Sequence, residues 1–503
     1  MFKSLQQKRN LQWILFVLSF LLLLFFFIVN DKDDIYELNS STEDGTIHVT
    51  WKNPIFKQNA KVKIVVYDNE QQFLEELLDL NNNRYDFNQG SNGDRYRFHV
   101  SLIGADGKES VGQDCVSTFL SFGDEGDLAT VVINTGNGEF PTFDESTHPP
   151  DMWGISIKNN NYLDTSFAII RNNTCIYDDK AQIRVRGNTS AFYEKTPYKI
   201  RLSYNASIID GDNIEASREY ILIGNAINLK YPIGLYVAQK VMNQWEPAYE
   251  YVNLVINGDY RGCYLLIETI DKGSNKVDIS NNGAIFENDV CWWNDKKYFK
   301  SAHQIEQMAY TFVYPQNATE LNIADLKEEI EAFEDLLYAD NDEYEKYIDI
   351  DSFVSWVLTH DILGNMDYGG SNMYLHVDDL KHLDRSVIHM GPVWDFDEVF
   401  DERYLYGYAP IHSSDVFYYD RLFQQEYFCL LYSRKWSSIS DVIKEDIIAY
   451  LAEIDSEFGT ALQNGWNYDA NRFHYSPTDL QAEEEKAIDW FAKKTEWMND
   501  NTK

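Results

Sequence analysis

Cysteine is scarce: five in 503 residues, at positions 115, 175, 263, 291 and 429, with no CxxC pair. A set so small and odd in number argues against a disulfide framework and against a Cys-based zinc site. Basic side chains are also in deficit, 43 Lys and Arg against 81 Asp and Glu, giving a formal charge of −38. Most of such a surface repels a phosphate backbone, so no nucleic-acid partner is expected. The phosphate loop GxxxxGK[ST], the dinucleotide motif GxGxxG, the zinc motif HExxH and the nucleophile motif GxSxG are all missing. One long apolar run stands out. From Leu11 to Val29 the chain reads LQWILFVLSFLLLLFFFIV, preceded by Lys3, Lys8 and Arg9 and followed by Asp31, Asp33 and Asp34. Nineteen helical residues rise about 28 Å, enough for a bilayer core, and the flanking charges follow the positive-inside rule. The expectation is a signal-anchor: residues 1–30 as cytoplasmic stub and transmembrane helix, a single pass through the cell membrane, and residues 31–503 extracytoplasmic. A cleaved signal peptide is the competing reading, disfavoured by the length of the run and by the lack of a small-x-small site after Val29.

What is present can fill several cores: 44% of residues are hydrophobic and 15% aromatic, and the length suits about three domains. Residues 31–43 are polar and acidic and read as a stalk. Between 44 and 120, short alternating runs such as Ile47–Trp51, Val62–Tyr67 and Tyr96–Leu102 predict a small all-β sandwich. With Trp51 in an early strand and Tyr96 late, this module resembles a fibronectin type III domain. A Gly/Asp-rich joint at 124–127 leads to a region at 128–435 that mixes strands (Ala181–Val185, Tyr198–Leu202, Glu250–Ile256, Tyr264–Thr269) with helices (Pro232–Gln244, Ile323–Asp340, Ile348–Asn365). Residues 436–503 read as a helical extension, with helices over Ile439–Leu462 and Leu480–Met498. The class is α+β.

The residues suited to chemistry lie late in the mixed region. Asp367 and Asn372 sit five apart in a polar, Gly-punctuated stretch, and Asp395-Phe396-Asp397 follows a strand-like tail. In protein kinases a base Asp precedes a metal-binding Asn by the same spacing, and a later Asp-Phe-Gly takes the metal that bridges the phosphates. Hard cations such as Mg²⁺ prefer oxygen donors, which carboxylates and an amide supply, and a further carboxylate can accept a hydroxyl proton. Taken alone, the same residues also suit an Asx-turn-rich loop with Asp395 capping a helix.

Four blocks in order resemble the CotH kinase family, the spore-coat protein H-like atypical kinases: RVRGNTS at 184–190, KTPYKIRL at 195–202, VNLVINGDYRGCYLLIETIDK at 252–272 and GPVWDFDEVF at 391–400. The resemblance implies a two-lobed, protein-kinase-like fold and phosphorylation of secreted or surface proteins on serine with ATP and Mg²⁺ or Mn²⁺. It implies Asp367 as catalytic base, with Asn372, Asp395 and Asp397 on the metal. Arg184, Arg186, Gly187 and Asn188 would form a phosphate-side loop. Lys195 is the favoured phosphate lysine on a small-lobe strand, sharing a face with Lys199 and Arg201 if that segment is extended, and Lys199 comes second. Glu268 would end a strand at the hinge, its backbone against adenine. One departure from the pattern is visible: the helix over 232–244 offers Gln239 and Gln244 but no acid to pair with that lysine, and Lys230 is the nearest early basic residue.

The expected activity is therefore transfer of the ATP γ-phosphoryl group to Ser or Thr of a protein partner, and the acidic surface suits a partner rich in Ser and Lys. Two rivals are a catalytically inactive surface scaffold or adhesion protein of the same fold, and a metal-assisted hydrolase using Asp395 and Asp397.

Overall fold

The computed structural model describes residues 34–502 apart from 56, 58, 69–70, 92–93, 122–127, 144–160, 188, 225–228, 305–307, 366, 368–371, 383–385, 408–417 and 477–478. The apolar run 11–29, the joint at 124–127 and Asn188 lie outside the described residues. The chain divides into two compact units, the first ending at Phe122 and including Asn257–Tyr260, the second holding the remainder.

The first unit is all β. Strands β1 (Tyr36–Glu43), β2 (Thr46–Lys52) and β5 (Arg84–Phe87) form one sheet. Strands β3 (Lys61–Asp68), β4 (Gln71–Asp79), β6 (Arg95–Ile103) and β7 (Gln113–Thr118) form the other, in the order β4-β3-β6-β7. Alternate residues of β2, β3, β5 and β6 meet in a shared core that includes Trp51, Ile64, Phe87 and Tyr96. The Tyr96 hydroxyl accepts a hydrogen bond from the Ser91 backbone N–H at 3.0 Å. Residues 36–43, expected to be a stalk, are instead a strand that pairs antiparallel with β2. Their polar side chains alternate with half-buried ones, a pattern too weak in hydrophobicity to show as a strand from sequence.

The second unit begins with β8 (Ala129–Thr135), β9 (Leu163–Arg171), β10 (Thr174–Val185), β11 (Tyr198–Ala206), β12 (Ser217–Ile223), β13 (Tyr249–Ile256) and β14 (Asp259–Glu268). These close into a barrel in the order β10-β11-β12-β14-β13-β8-β9, with β8 and β13 parallel and β9 pairing back onto β10. Helix α1 (Lys230–Met242) lies between β12 and β13 in sequence. A second sheet, ordered β16-β17-β15-β18-β19, comprises β15 (Ala284–Asp289), β16 (Tyr298–Phe299), β17 (Ala309–Tyr314), β18 (Met373–Val377) and β19 (Ile388–Val393). Around it run α2 (Glu320–Tyr338), α3 (Ile350–Leu363), α4 (Tyr419–Leu422), α5 (Glu426–Ile439), α6 (Ile443–Arg472) and α7 (Leu480–Asn501).

Two-residue periodicity divides β12 and β14 between two cores. Tyr220, Leu222, Tyr264 and Leu266 point into the barrel, while Ile221, Ile223, Leu265 and Ile267 join the larger core under the helices. On β10 and β11 the outward positions are polar instead: Gln182, Arg184, Lys199 and Arg201. That change of character along one barrel surface leaves a charged wall beside the helical half.

Two expectations are corrected. The fold is richer in strand than an α+β, two-lobed kinase-like reading anticipates, and its small-lobe strands close into a seven-stranded barrel. Closure depends on β8 pairing parallel with β13, a register between segments far apart in sequence that no local pattern announces. Against the single-pass membrane localisation and the membrane as a partner, no helix among the described residues is long and apolar enough to cross a membrane.

Candidate active site

Helix α3 carries the first acidic segment to its place. Asp349 caps its start, accepting from the Ser352 N–H at 2.9 Å, and Gly364 ends it in the left-handed region at φ 56°. A Cβ on Gly364 would collide with the Trp490 ring, so this cap has both a conformational and a steric need for glycine. Asn365 follows, and its side chain does two jobs. Its Oδ1 accepts from the Asp367 N–H at 3.0 Å, and its Nδ2 donates to the Asp395 carbonyl at 3.0 Å. Five residues beyond Asp367, Asn372 adopts φ 70°. Its backbone N–H donates to Glu287 on β15 at 3.0 Å and its Nδ2 to the Asp367 carbonyl at 3.2 Å, leaving Oδ1 as the acceptor it can offer.

The second acidic segment follows β19. Asp395, also in the left-handed region at φ 64°, accepts from the Tyr231 hydroxyl at 2.5 Å. Lys230 donates to the Asp397 carbonyl at 2.5 Å. The first turn of α1 thus holds both ends of the Asp-Phe-Asp run, and Phe396 packs against Gly234, where a Cβ would clash with its ring. Carboxylate oxygens of Asp367, Asp395 and Asp397 all lie within 4.8 Å of one another, the only such group of three metal-binding side chains among the described residues.

Three carboxylates at that range repel one another. Partial loss of water, then the charges of Asp395 and Glu398, push Asp367 up to about 6. Burial and the charges of Asp395 and Asp367 raise Asp397 further. A cation among these oxygens would relieve that repulsion and favour their ionised forms. The donors are all hard oxygens, with the Asn372 amide alongside, so the residues present fit Mg²⁺ or Mn²⁺.

Positive charge faces this cluster from the barrel. Burial drives the Tyr231 hydroxyl well up, Asp395 and Asp397 add to it, and Arg186 opposes them. Tyr374 is raised by burial, Glu287 and Asp289, and again Arg186 opposes. Arg186 therefore lies near enough to act electrostatically on both tyrosines that border the acidic segments. Tyr193, on the same β10–β11 connection, is raised by burial and then by Asp397 and Glu398. Gly187 adopts φ 92° in this connection.

Further along the charged wall, Lys199 and Arg201 both bind Glu219, at 2.6 and 2.7 Å. Burial alone would raise Glu219, but the two cations outweigh it and hold it below its usual range. Arg184 lies 5.4 Å from the Tyr162 ring. Beyond them opens a cavity of about 460 Å³, lined by Gln182, Arg201, Arg218, Glu219, Asp271 and Lys272 among others.

Two expected site residues are engaged elsewhere. Lys195 precedes β11 rather than lying on a strand, and its side chain is wholly buried. It pairs at 2.5 Å with Asp469 of α6 and also donates to the Cys263 carbonyl, so it has no face left for a phosphate. Glu268 ends β14 as expected, but its backbone N–H donates to the Ala248 carbonyl at 3.0 Å. Its carboxylate accepts from the Ala248 N–H and pairs with Lys276 at 3.2 Å.

Sequence reading missed Tyr231, Asn365, Glu287 and Asp469. For Asp469 a signal existed: it falls on the buried stripe Leu462, Trp466, Asp469, Ala470 of α6, where an acid requires a partner. For the other three no local pattern singles them out.

A family model described as CotH kinase protein matches residues 183–498, which include Arg184, Lys199 and all three clustered carboxylates. No curated protein matches. Among solved structures, a two fibronectin type-III domain segment from chicken tenascin is 11% identical, covering 30% of this chain and 98% of its own, with a TM-score of 0.18. The Shewanella oneidensis MR-1 toxin–antitoxin complex of HipA, HipB and operator DNA is 12% identical, covering 60% of this chain and 63% of its own, with a TM-score of 0.24. Scores this low carry no argument about either unit.

Proposed function

Because the chain belongs to the CotH kinase family, we propose that it transfers the γ-phosphoryl group of ATP to a Ser or Thr hydroxyl of a protein. The observation that carries this reading is the convergence of Asp367, Asp395 and Asp397 within 4.8 Å. Asp395, Asp397 and the Asn372 amide would hold Mg²⁺ or Mn²⁺, which when bound offsets the charge on the phosphates and fixes their orientation. Asp367, with its carboxyl at about 6, orients the acceptor hydroxyl and takes its proton as the new P–O bond forms and ADP leaves. Arg186 is the cation best placed to meet the transferred group, and Lys199 and Arg184 suit the remaining phosphates along the barrel wall. The cavity beside Asp271 and Lys272 is the space for the nucleoside.

The test is incubation of the full chain with γ-labelled ATP, Mn²⁺ and a Ser-rich basic acceptor protein. Labelled acceptor with the wild type and none with Asp395→Ala is the expected outcome. A second reading, a binding protein of the same family without transfer, draws on the burial of Lys195, the lysine expected at the phosphates. It predicts metal-dependent ATP binding with no labelled acceptor. Release of free phosphate without phosphoprotein would instead mark a hydrolase.

A further inference from the structure

The C-terminal helices touch both segments that border the acidic cluster, and do so through polar groups taken out of water. On the barrel side, Asp469 of α6 pairs with Lys195, and both side chains are 0% exposed. Lys195 sits at the base of the β10–β11 connection, the segment that carries Arg186 and Tyr193. That base is closed by the Arg186 N–H donating to the Pro197 carbonyl at 3.1 Å. The Tyr264 hydroxyl donates to the Thr196 carbonyl at 3.0 Å. On the helical side, the Trp490 indole N–H of α7 donates to the Ile362 carbonyl at 3.0 Å, at the end of the helix that delivers Asp367. One turn later, Lys494 donates to the carbonyls of Tyr404, at 2.7 Å, and of Gly407, in the segment that follows Asp397. Helices α6 and α7 pack on each other.

We propose that the α6–α7 hairpin is a clamp that positions the two walls of the active site, with Lys195, Asp469, Trp490 and Lys494 as positioning residues. The role of Lys195 is then to seat the β10–β11 connection over the acidic cluster, not to bind nucleotide. A buried ion pair is poor evidence for stability, but either partner alone would be an unpaired buried charge, so breaking this one releases the two segments it joins. Small displacements of a site by remote changes cost large factors in rate. The proposal rests on the phosphoryl-transfer reading for its catalytic meaning, though its structural content stands apart from it.

Hydrogen exchange on the full chain separates the two. In Asp469→Asn, amide exchange at Arg186 and Tyr193 rises about tenfold, and in Trp490→Phe it rises about tenfold at Gly364 and Asn365, with the first unit unchanged. Kinetics supply the readout that loss of packing alone would not split. Asp469→Asn raises the KM for ATP about tenfold with kcat nearly kept, whereas Trp490→Phe lowers kcat and Mn²⁺ affinity about tenfold with KM nearly kept. Unchanged exchange in both segments overturns the clamp. If Asp469→Asn does not fold, Trp490→Phe alone decides the matter. A wild-type chain that binds neither Mn²⁺ nor ATP sinks the phosphoryl-transfer reading, while the exchange data still decide the clamp.

Discussion

Asn365 donates to the carbonyl oxygen of Asp395 at 3.0 Å, tying the loop after α3 to the loop after β19. The same side chain accepts from the Asp367 N–H. One amide thus fixes the spacing of two carboxylates that are 28 residues apart in sequence, since neither loop has regular structure to do so.

Replacing Asn365 with Ala leaves the Asp367 N–H and the Asp395 carbonyl without their partner. Mn²⁺ affinity should fall about 10- to 100-fold, as for other groups that support metal ligands, and stability by about 1–3 kcal/mol. Mn²⁺ titration and urea unfolding of the same variant measure both. Unaltered metal affinity would show that the spacing is held by something else.

Lys195→Met should be costly, because Asp469 would remain buried without its cation. The expected loss is about 3–5 kcal/mol, and adding Asp469→Leu should recover most of it. Lys199→Met, at a half-buried pair, should cost far less in stability and act chiefly on ATP binding. Chemical denaturation of the three variants tests this, and equal losses for Lys195→Met and Lys199→Met would contradict it.

Gly234→Ala inserts a methyl group against the Phe396 ring. Overpacking of that kind costs about 1–3 kcal/mol, and the displacement falls on the segment between Asp395 and Asp397. Both the melting temperature and Mn²⁺ affinity should drop. A fall in melting temperature alone would mean the ring yields away from the carboxylates.

Acid should destabilise the second sheet through His376 and His389, whose rings stack at 5.0 Å across β18 and β19. Burial first, and then His389, push His376 down to about 4, against the Gly391 carbonyl and the carboxylates of Asp349 and Asp378. Burial also lowers His389, with the same two acids opposing. The unfolded chain takes up these protons near 6.5, so the stabilisation is complete above that pH and is lost as pH falls towards 4. The contribution of His376 is on the order of 3 kcal/mol. Urea midpoints of wild type and His376→Gln between pH 4 and 7 check the sign, the variant giving the shallower slope.

The acidic residues of the candidate site stood out in sequence because they are concentrated in short segments. The five-residue interval from Asp367 to Asn372 and the Asp-Phe-Asp run could be read directly, and folding brings three of those four side chains into one cluster. The strands of β10 to β14 showed through their alternation. The environment of Lys195 was not legible because it is made by Asp469, 274 residues away. A lysine beside a strand looks the same in sequence whether its partner is a ligand or a distant helix. Helix ends were similarly hidden. The helix expected over Ile439–Leu462 begins instead at Ile443 and runs on to Arg472, and a separate helix, α5, ends at Ile439 just before it, with Ser440 buried between the two. Barrel closure lay beyond sequence reasoning for the same reason, being a parallel pairing of β8 with the distant β13 that completes a ring.

The strands β12 and β14 have no idle face. With Tyr220 and Leu222 sealed inside the barrel and Ile221 and Ile223 sealed under the helices, neither half retains its wall if the other melts. Heat should therefore dissolve the second unit in one calorimetric step. A chain cut between β14 and β15 should yield two insoluble fragments that regain structure only when refolded together.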